Sequence, residues 1–404
     1  MMRSPALQQA ETAFAQGRAE EGRDLLRQAA KDGEAVAGYS LAVALAYGQG
    51  GEVDLVGAAA QLAAIRDALP AARMFHRYAL AQNWPGTGGW AAAVADLIDQ
   101  AEAGDPATQR ETGLLALMYR CENEALALLG TAAATGDMSA AMAVMRLGRA
   151  SGQAWLNSAR DRLKRSRHPL ADELAKEAES GDRLAAPDRF DWNDLRTRLS
   201  GDLPKGEASI LIHDLSAKLH PDVLPAAVGD HVLTSGLKAL QPSTIVDDTS
   251  GQRVRDPHRQ SLSMTFAPHL QDLVHVAVEG LMARMADCPP AHSERLNLLF
   301  YRPGEQYKPH VDYFAPDDAG AAREIERGGQ RVATSLICLH PAERGGATQF
   351  PRFETAWAGS TGDGLSFRNV RADGEIEPLS LHQGQPVQSG WKALVSLWLR
   401  DRAA

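Results

Sequence analysis

Cysteine is scarce in this 404-residue chain, with three in all, Cys121, Cys288 and Cys338. They are scattered and odd in number, and no Cys-x-x-Cys pair occurs. A disulfide framework and a cysteine metal site are therefore excluded, and the thiols read as reduced. Aromatic residues contribute only 6%. No unbroken apolar run reaches the ~18 residues that span a bilayer. The opening MMRSPALQQAETAFAQG lacks the apolar stretch of a signal peptide. Positive charge is not in excess either: 42 Lys and Arg stand against 51 Asp and Glu, a formal net charge of −9. That balance disfavours nucleic acid and anionic membranes, which are both polyanions. These absences point to a soluble, cytoplasmic protein with no nucleic-acid or membrane partner. What remains is ordinary globular material, 44% apolar and 23% charged, over a length that suits two or three domains.

The chain changes grammar partway along. Residues 1 to about 180 are rich in Ala, Leu, Glu, Gln and Arg, the strong helix formers. LLRQAAKDGEAVAGYSLAVAL from Leu25, LIDQAEAGDPATQRETGLLAL from Leu97 and LLGTAAATGDMSAAMAVMRLG from Leu128 echo one another. Each reads as a helix of small residues, a glycine near its end (Gly33, Gly104, Gly136), a nearby acidic residue and a second helix. A fainter copy lies near Gly181, and Ala68 to Arg73 has room for a degenerate one. Repeats of roughly 32 to 36 residues indicate an α-solenoid of helical hairpins. The pattern resembles Sel1-like, tetratricopeptide-related repeats, loosely, and such repeats suit a protein or peptide partner as well as a purely structural role.

Pro and Gly density then rises. This places a helical repeat domain at residues 1–182, a linker at 183–206 and a second domain at 207–404. The second domain reads as β-rich. SILIHDL suggests a strand and DLVHVAVEGLMARMA a helix packed on a sheet. After them RLNLLFYRP, YKPHVDYF, RVATSLICLHP, GGATQFPRF, GDGLSFRNV, EPLSLHQG and KALVSLWLR are short strands separated by turn residues. Such spacing indicates an antiparallel barrel or jelly roll, so the expected fold is α + β and multidomain: an α-solenoid, then a double-stranded β-helix with supporting helices.

Within YKPHVDYF, His310 and Asp312 share parity, so a strand there would project both to one face. A His-x-Asp pair alone is usually a surface turn. It gains meaning only with a third ligand on a neighbouring strand, and His382, expected at the end of a short strand, is the candidate. Two histidines and a carboxylate facing one way form the facial triad of non-heme Fe(II) oxygenases, with open coordination positions. Zinc hydrolases also use such donors. The discriminating feature is an anchor for the far carboxylate of a 2-oxo acid. On the last strand Lys392, Leu394, Ser396 and Trp398 share one face, and a lysine on a strand apolar on both sides is costly to bury without an anionic partner. An exposed edge is the bland alternative.

The run from about Arg259 to Arg400 resembles the catalytic domain of prolyl 4-hydroxylases, members of the Fe(II)- and 2-oxoglutarate-dependent dioxygenases. The motifs in order are RQS at Arg259, YRPGEQYKPHVD, RVAT at Arg331, GGATQFP at Gly345, HQGQPVQSGWK and Leu397-Trp398. The resemblance implies that His310, Asp312 and His382 hold Fe2+, and that Lys392 binds 2-oxoglutarate with help from the hydroxyls of Tyr301 and Thr348. It puts Arg331 and Trp398 in positions facing the reacting centre, Arg331 sharing parity with small Ala333 and Ser335 that leave room for substrate. Tyr307 is expected to pack. O2 as co-substrate and L-ascorbate complete the implied set. Gln260 and Ala347 depart from the family's usual Thr and acidic residue, which bears on substrate preference and not on the ligands.

The implied reaction is hydroxylation of an unactivated C–H bond, with release of succinate and CO2, on a prolyl residue of a protein or peptide that the helical repeats would help to hold. Competing readings are a hydroxylase of a free amino acid or small metabolite, a non-catalytic repeat scaffold or sensor, and a zinc hydrolase. Residues 315–329, APDDAGAAREIERGG, are polar and end in Gly-Gly, as suits either a solvated loop or a lid that closes on a peptide. The other histidines, including His213, His220, His231, His269, His275 and His340, have no matching partner spacing and read as structural or surface residues.

Overall fold

Helix formers in the first part do form helices, and turn chemistry explains where each one stops. In the computed structural model, which describes residues 4–180, 190–204, 206–246, 253–255, 257–315 and 318–403, the three echoes are helical hairpins. They pair Ala19–Lys31 with Ala35–Ala46, Gly89–Glu102 with Pro106–Met118, and Glu122–Ala134 with Met138–Arg146. Gly33, Gly104 and Gly136 follow the first helix of each pair with φ of 91°, 93° and 97°. A Cβ at any of them would meet nothing within 4 Å, so left-handed backbone and not crowding calls for glycine. The acidic residue after Gly104 and Gly136 caps the next helix: Asp105 accepts from Thr108 N and Asp137 from Ala140 N, each at 2.9 Å. Ala68–Arg73 forms the turn into helix Pro70–Ala81. The copy near Gly181 lies outside the described residues.

Two compact units result: one of Met1–Glu111, Asp191–Asp202 and Ala267–Val276, the other of Thr112–Phe190, Leu203–Phe266 and Ala277–Ala404. This division departs from the expected break at 182, because the helices after residue 112 group with the strands. The expected linker, 183–206, falls partly outside the described residues, at 183–189 and 205, but it also holds helix Trp192–Ser200, whose cap Asp191 accepts from Asn193 N at 2.8 Å. A composition rich in turn residues concealed a short, well-capped helix. In the first unit, Leu7, Leu26 and Leu41 pack among small Ala10, Ala29 and Ala37, and Phe75 fills a second cluster with Leu62 and Ala72. No helix among the described residues is long and apolar enough to cross a membrane.

The second unit contains the roll. Its eight-stranded antiparallel sheet runs Ser209–Ile212, Ala217–His220, Gly364–Arg368, Arg331–His340, Lys392–Arg400, Asn297–Tyr301, Leu262–Thr265, Gln241–Pro242. A four-stranded sheet runs Thr355–Trp357, Thr348–Phe350, His382–Gly384, Tyr307–His310. This is the expected double-stranded β-helix. Phe350, Phe367, Trp357, Leu299, Leu336 and Leu394 belong to its core. Helix Leu273–Met285 backs the larger sheet, where Ser335 and Ser366 donate to the carbonyls of Met282 and Met285 at 2.7 and 2.8 Å. Lys392–Arg400 is a central strand of that sheet and is buried along nearly its whole length on both faces, which accounts for its apolar residues on each.

Two strand boundaries differ from expectation at the positions that matter. The first ligand strand ends at His310, so Asp312 sits in the bend beyond it, and His382 begins its strand instead of ending one. Strand parity therefore does not account for the pairing of His310 with Asp312; the turn does.

Candidate metal centre

His310 and His382 are distant in sequence but directly opposed in the antiparallel register of the four-stranded sheet. That pairing brings their ring centres to 4.3 Å. Each ring is fixed by its own backbone: His310 Nδ1 donates to Lys308 O at 2.8 Å, and His382 Nδ1 to Ser380 O at 2.9 Å. With Nδ1 carrying the proton, the lone pair of each neutral imidazole lies on Nε2. Asp312 turns back from the bend to meet them, Oδ1 at 3.8 Å from His310 Nε2 and Oδ2 at 3.5 Å from His382 Nε2. The ligating atoms of the three residues all lie within 4.8 Å of one another.

Electrostatics suit a cation. Burial, followed by the charge of His382, pushes the His310 imidazole down to about 3, which favours its neutral, ligating form. Burial works to raise the Asp312 carboxyl, yet His382, His310, Arg331 and a hydrogen bond from Thr334 hold it at about 2. Two imidazoles that turn Nε2 inward and a carboxylate, none exposed, match a metal that takes nitrogen and oxygen donors.

Lys392 lines the same cavity and is only 3% exposed. Its Nζ donates to Gly346 O, and no carboxylate pairs with it among the described residues. Burial lowers its ammonium to about 8. Tyr301 stands opposite Lys392 in the strand register, and buried Thr348 lines the same cavity. Leu394, Ser396 and Trp398, expected to share a face with Lys392, line the cavity as well.

Arg331 stands behind the Trp398 side of the cavity, near enough for its charge to lower the Asp312 carboxyl. It is not among the residues lining the cavity, and its Nε and Nη2 donate to the two oxygens of Glu294 at 2.6 and 2.8 Å. Its guanidinium lies 4.0 Å from the ring centre of Trp398 and 4.7 Å from that of Phe314. Arg331 thus steadies the Trp398 wall. The parity expected with Ala333 and Ser335 is broken by a register shift between Leu399 and Arg400. Arg331 therefore faces with Trp398 and Arg400, while Ala333 and Ser335 are buried on the other face, where Ser335 meets helix Leu273–Met285. Glu294, which sequence reading missed, also receives Arg400 Nε at 2.6 Å. Burial works to raise the Glu294 carboxyl, but Arg331 and Arg400 more than offset it and hold it below the usual range.

Tyr307, expected only to pack, stacks on His310 at 3.4 Å between ring centres and also lines the cavity, with Arg259 5.2 Å from the centre of its own ring. Burial pushes its phenol up to about 12. Thr334, within RVAT but given no role by sequence, donates to Asp312 Oδ2 at 2.7 Å. The register shift between Leu399 and Arg400 puts Thr334 on the same face as Arg331, opposite Trp398 in the register, which simple alternation along RVAT hides.

The polar loop at 315–329 contains helix Ala319–Gly328, and residues 316–317 lie outside the described ones. Gln330 closes its neck, donating from Nε2 to Phe314 O at 2.7 Å and accepting at Oε1 from Phe314 N at 2.8 Å.

Comparison with known proteins agrees with the expected resemblance. Residues 296–400 match the family model described as 2OG-Fe(II) oxygenase superfamily. Prolyl 4-hydroxylase 1 of Arabidopsis thaliana is 34% identical over 179 residues, 41% of this chain and 61% of the relative. The chain thus spans about three fifths of the length of that curated relative. A viral collagen prolyl hydroxylase from Paramecium Bursaria Chlorella virus-1, solved with 2OG, is 22% identical with a TM-score of 0.36, covering 45% of this chain and 94% of its own. A Sel1 repeat protein from Oxalobacter formigenes is 20% identical with a TM-score of 0.32, covering 48% of this chain and 86% of its own.

Proposed function

We propose that this protein is an Fe(II)- and 2-oxoglutarate-dependent dioxygenase that hydroxylates a prolyl residue of a protein or peptide. The observation that carries the reading is one cavity holding His310, Asp312 and His382 together with buried, carboxylate-free Lys392. Ferrous iron with 2-oxoglutarate and O2 supplies the oxidising power for an unactivated C–H bond, with release of succinate and CO2. The chain's own residues do the rest. The Nε2 atoms of His310 and His382 and the Asp312 carboxylate hold the metal. Lys392, with the hydroxyls of Tyr301 and Thr348, receives the far carboxylate of 2-oxoglutarate, a charge-assisted contact that offsets the burial of the ammonium. Leu299, Leu336 and Leu394 line the cavity and exclude water, and Trp398, steadied by Arg331, forms a wall for the acceptor. Ascorbate serves as the reductant that keeps the iron ferrous.

The prolyl acceptor is supported by relatives whose names state prolyl 4-hydroxylation. A protein or peptide form of it is favoured by the helical hairpins, whose unit contains a cleft lined by Leu7, Phe14, Tyr39, Val43 and His269. The thiols of Cys121, Cys288 and Cys338 suit the reducing cytoplasm.

Incubation with Fe(II), 2-oxoglutarate, ascorbate and lysate proteins, followed by peptide mass spectrometry, tests the reading. One added oxygen on prolyl residues, with matching succinate, is expected from the native protein and not from the His310→Ala variant. Succinate with added oxygen only on free amino acids would move the acceptor to small metabolites, and zinc retained after anaerobic purification without any succinate would favour a hydrolase.

A further inference from the structure

Asp312 is oriented by more than the two histidines, and what orients it reaches one residue further. Thr334 Oγ1 donates to Asp312 Oδ2 at 2.7 Å, and Asn369 Nδ2 donates to Thr334 Oγ1 at 2.9 Å. The three residues are 7%, 1% and 0% exposed in that order. Asn369 follows strand Gly364–Arg368, and its backbone is held on both sides: its N–H donates to Val332 O at 2.9 Å, and its carbonyl accepts from Glu377 N at 3.0 Å. The amide therefore reaches Thr334 from a fixed base.

Direction in this chain follows from donor and acceptor counts. A threonine hydroxyl has one proton to give and two lone pairs to receive. An amide hydrogen from Asn369 occupies a lone pair and leaves the proton for the carboxylate. A reversed amide would put Oδ1 against Thr334 and compete for that proton. The hydroxyl and carboxylate oxygens would then lie 2.7 Å apart with no hydrogen between them. The orientation that avoids this leaves Asn369 Oδ1 buried without a hydrogen-bond partner. Unsatisfied buried polar atoms are few in folded proteins and ask for a reason. Here the reason is the work done by the other end of the amide.

We propose that Asn369 is a positioning residue for the metal centre, acting through Thr334 to fix which oxygen of Asp312 the protein holds and which is left for the metal. Oδ2 receives Thr334, while Oδ1 has no hydrogen-bond donor among the described residues. The carboxylate is thus kept from rotating, and Oδ1 is presented as a single-oxygen ligand. Polarisation along the two hydrogen bonds strengthens the hold on Oδ2. The proposal rests on the reading of His310, Asp312 and His382 as ligands.

Co(II) alone is the probe, with affinity measured by competition against a chelating dye and coordination geometry by visible absorption. Outer partners of a ligand typically change metal affinity by about 10- to 100-fold. Thr334→Val is expected to weaken Co(II) within that range and shift the absorption band, and Thr334→Ser to restore both. Asn369→Leu is expected to shift the band in the same direction with a smaller loss of affinity. The double variant is expected to match Thr334→Val alone, because Asn369 has no other route to the metal. If Asn369→Leu does not fold by circular dichroism, Asn369→Ser withdraws the amide with less disturbance. A folded Asn369 variant with unchanged affinity and spectrum, or a double variant whose loss is the sum of the two singles, would overturn the proposal and leave the metal centre standing. A native protein that binds no Co(II) would overturn both.

Discussion

Lys392 is buried with no carboxylate partner among the described residues. Its ammonium is 3% exposed, hydrogen-bonds only Gly346 O, and is lowered by burial from 10.5 to about 8. A lysine lowered on folding binds fewer protons when folded than when unfolded between about 8 and 10.5, so stability of the ligand-free protein rises with pH across that window. Below about 8 both states are protonated and the full penalty of burial is present. Lys392→Met is expected to raise ligand-free stability at pH 7 by about 1–3 kcal/mol, and to flatten the rise toward pH 10.5. The same variant is expected to lose stabilisation by 2-oxoglutarate. Thermal unfolding with and without 2-oxoglutarate across pH checks all three outcomes; a variant less stable than the native protein at pH 7 would contradict them. On the proposed reading Asp312→Ala removes the one carboxylate of the triad, and Fe(II)-dependent succinate formation is expected to fall by more than the ~100-fold that loss of an outer partner can cost.

Elements show where local chemistry decides and where it is overruled. Gly104 and Gly136 adopt left-handed backbone in open space, so Gly104→Ala or Gly136→Ala is expected to cost about 1–2 kcal/mol through strain alone, measured by urea unfolding. Equal or greater stability of either alanine variant would argue against that account. The 315–329 segment reads as a polar loop, yet its helix Ala319–Gly328 is held at its last carbonyls: Arg400 donates to Gly329 O at 2.5 Å, and Arg402 to Ile325 O and Glu326 O, each at 2.6 Å. Those arginines lie far along the chain, so no local pattern reveals the tether. Gln330→Ala opens the neck of the segment and is expected to speed tryptic cleavage at Arg323 or Arg327 at least several-fold relative to the native protein. Unchanged cleavage would mean that the arginines alone hold it.

At the scale of the whole chain, composition and contact divide the protein differently. Arg146, from a helix of repeat-like sequence, donates through Nε to Asp230 Oδ2 at 2.7 Å and through Nη1 to Glu177 Oε1 at 2.7 Å, and it also pairs with Glu173. Asp230 is 2% exposed, so it relies on Arg146 to offset its burial. Arg146→Ala is expected to destabilise by about 3–5 kcal/mol, and the added change Asp230→Asn to recover part of the loss. For the same reason a fragment of residues 207–404 is expected to unfold well below the full chain, while one starting at residue 112 keeps the pair. Calorimetry of both fragments checks this, and equal melting temperatures would return the boundary to the place composition suggests.

Much was legible in the order of residues because the chemistry is carried by residue type at short range. Glycine after a helix, an acidic cap before the next one, and apolar strands between turn residues each follow from local sterics and hydrogen bonding, and they sufficed for hairpins followed by a roll. His310, Asp312, His382 and Lys392 could be singled out since few residue types can ligate a metal or neutralise a carboxylate, and the fold brings all four to one cavity. Tertiary structure alone decided the rest. It set His382 opposite His310 in register, turned Asp312 back from a bend instead of a strand, gave Arg331 to Glu294, and joined Asn369 to Asp312 through Thr334. Those outcomes depend on which strands become neighbours, and neighbours in a β-roll are chosen by burial of the whole core, over separations that no local pattern spans.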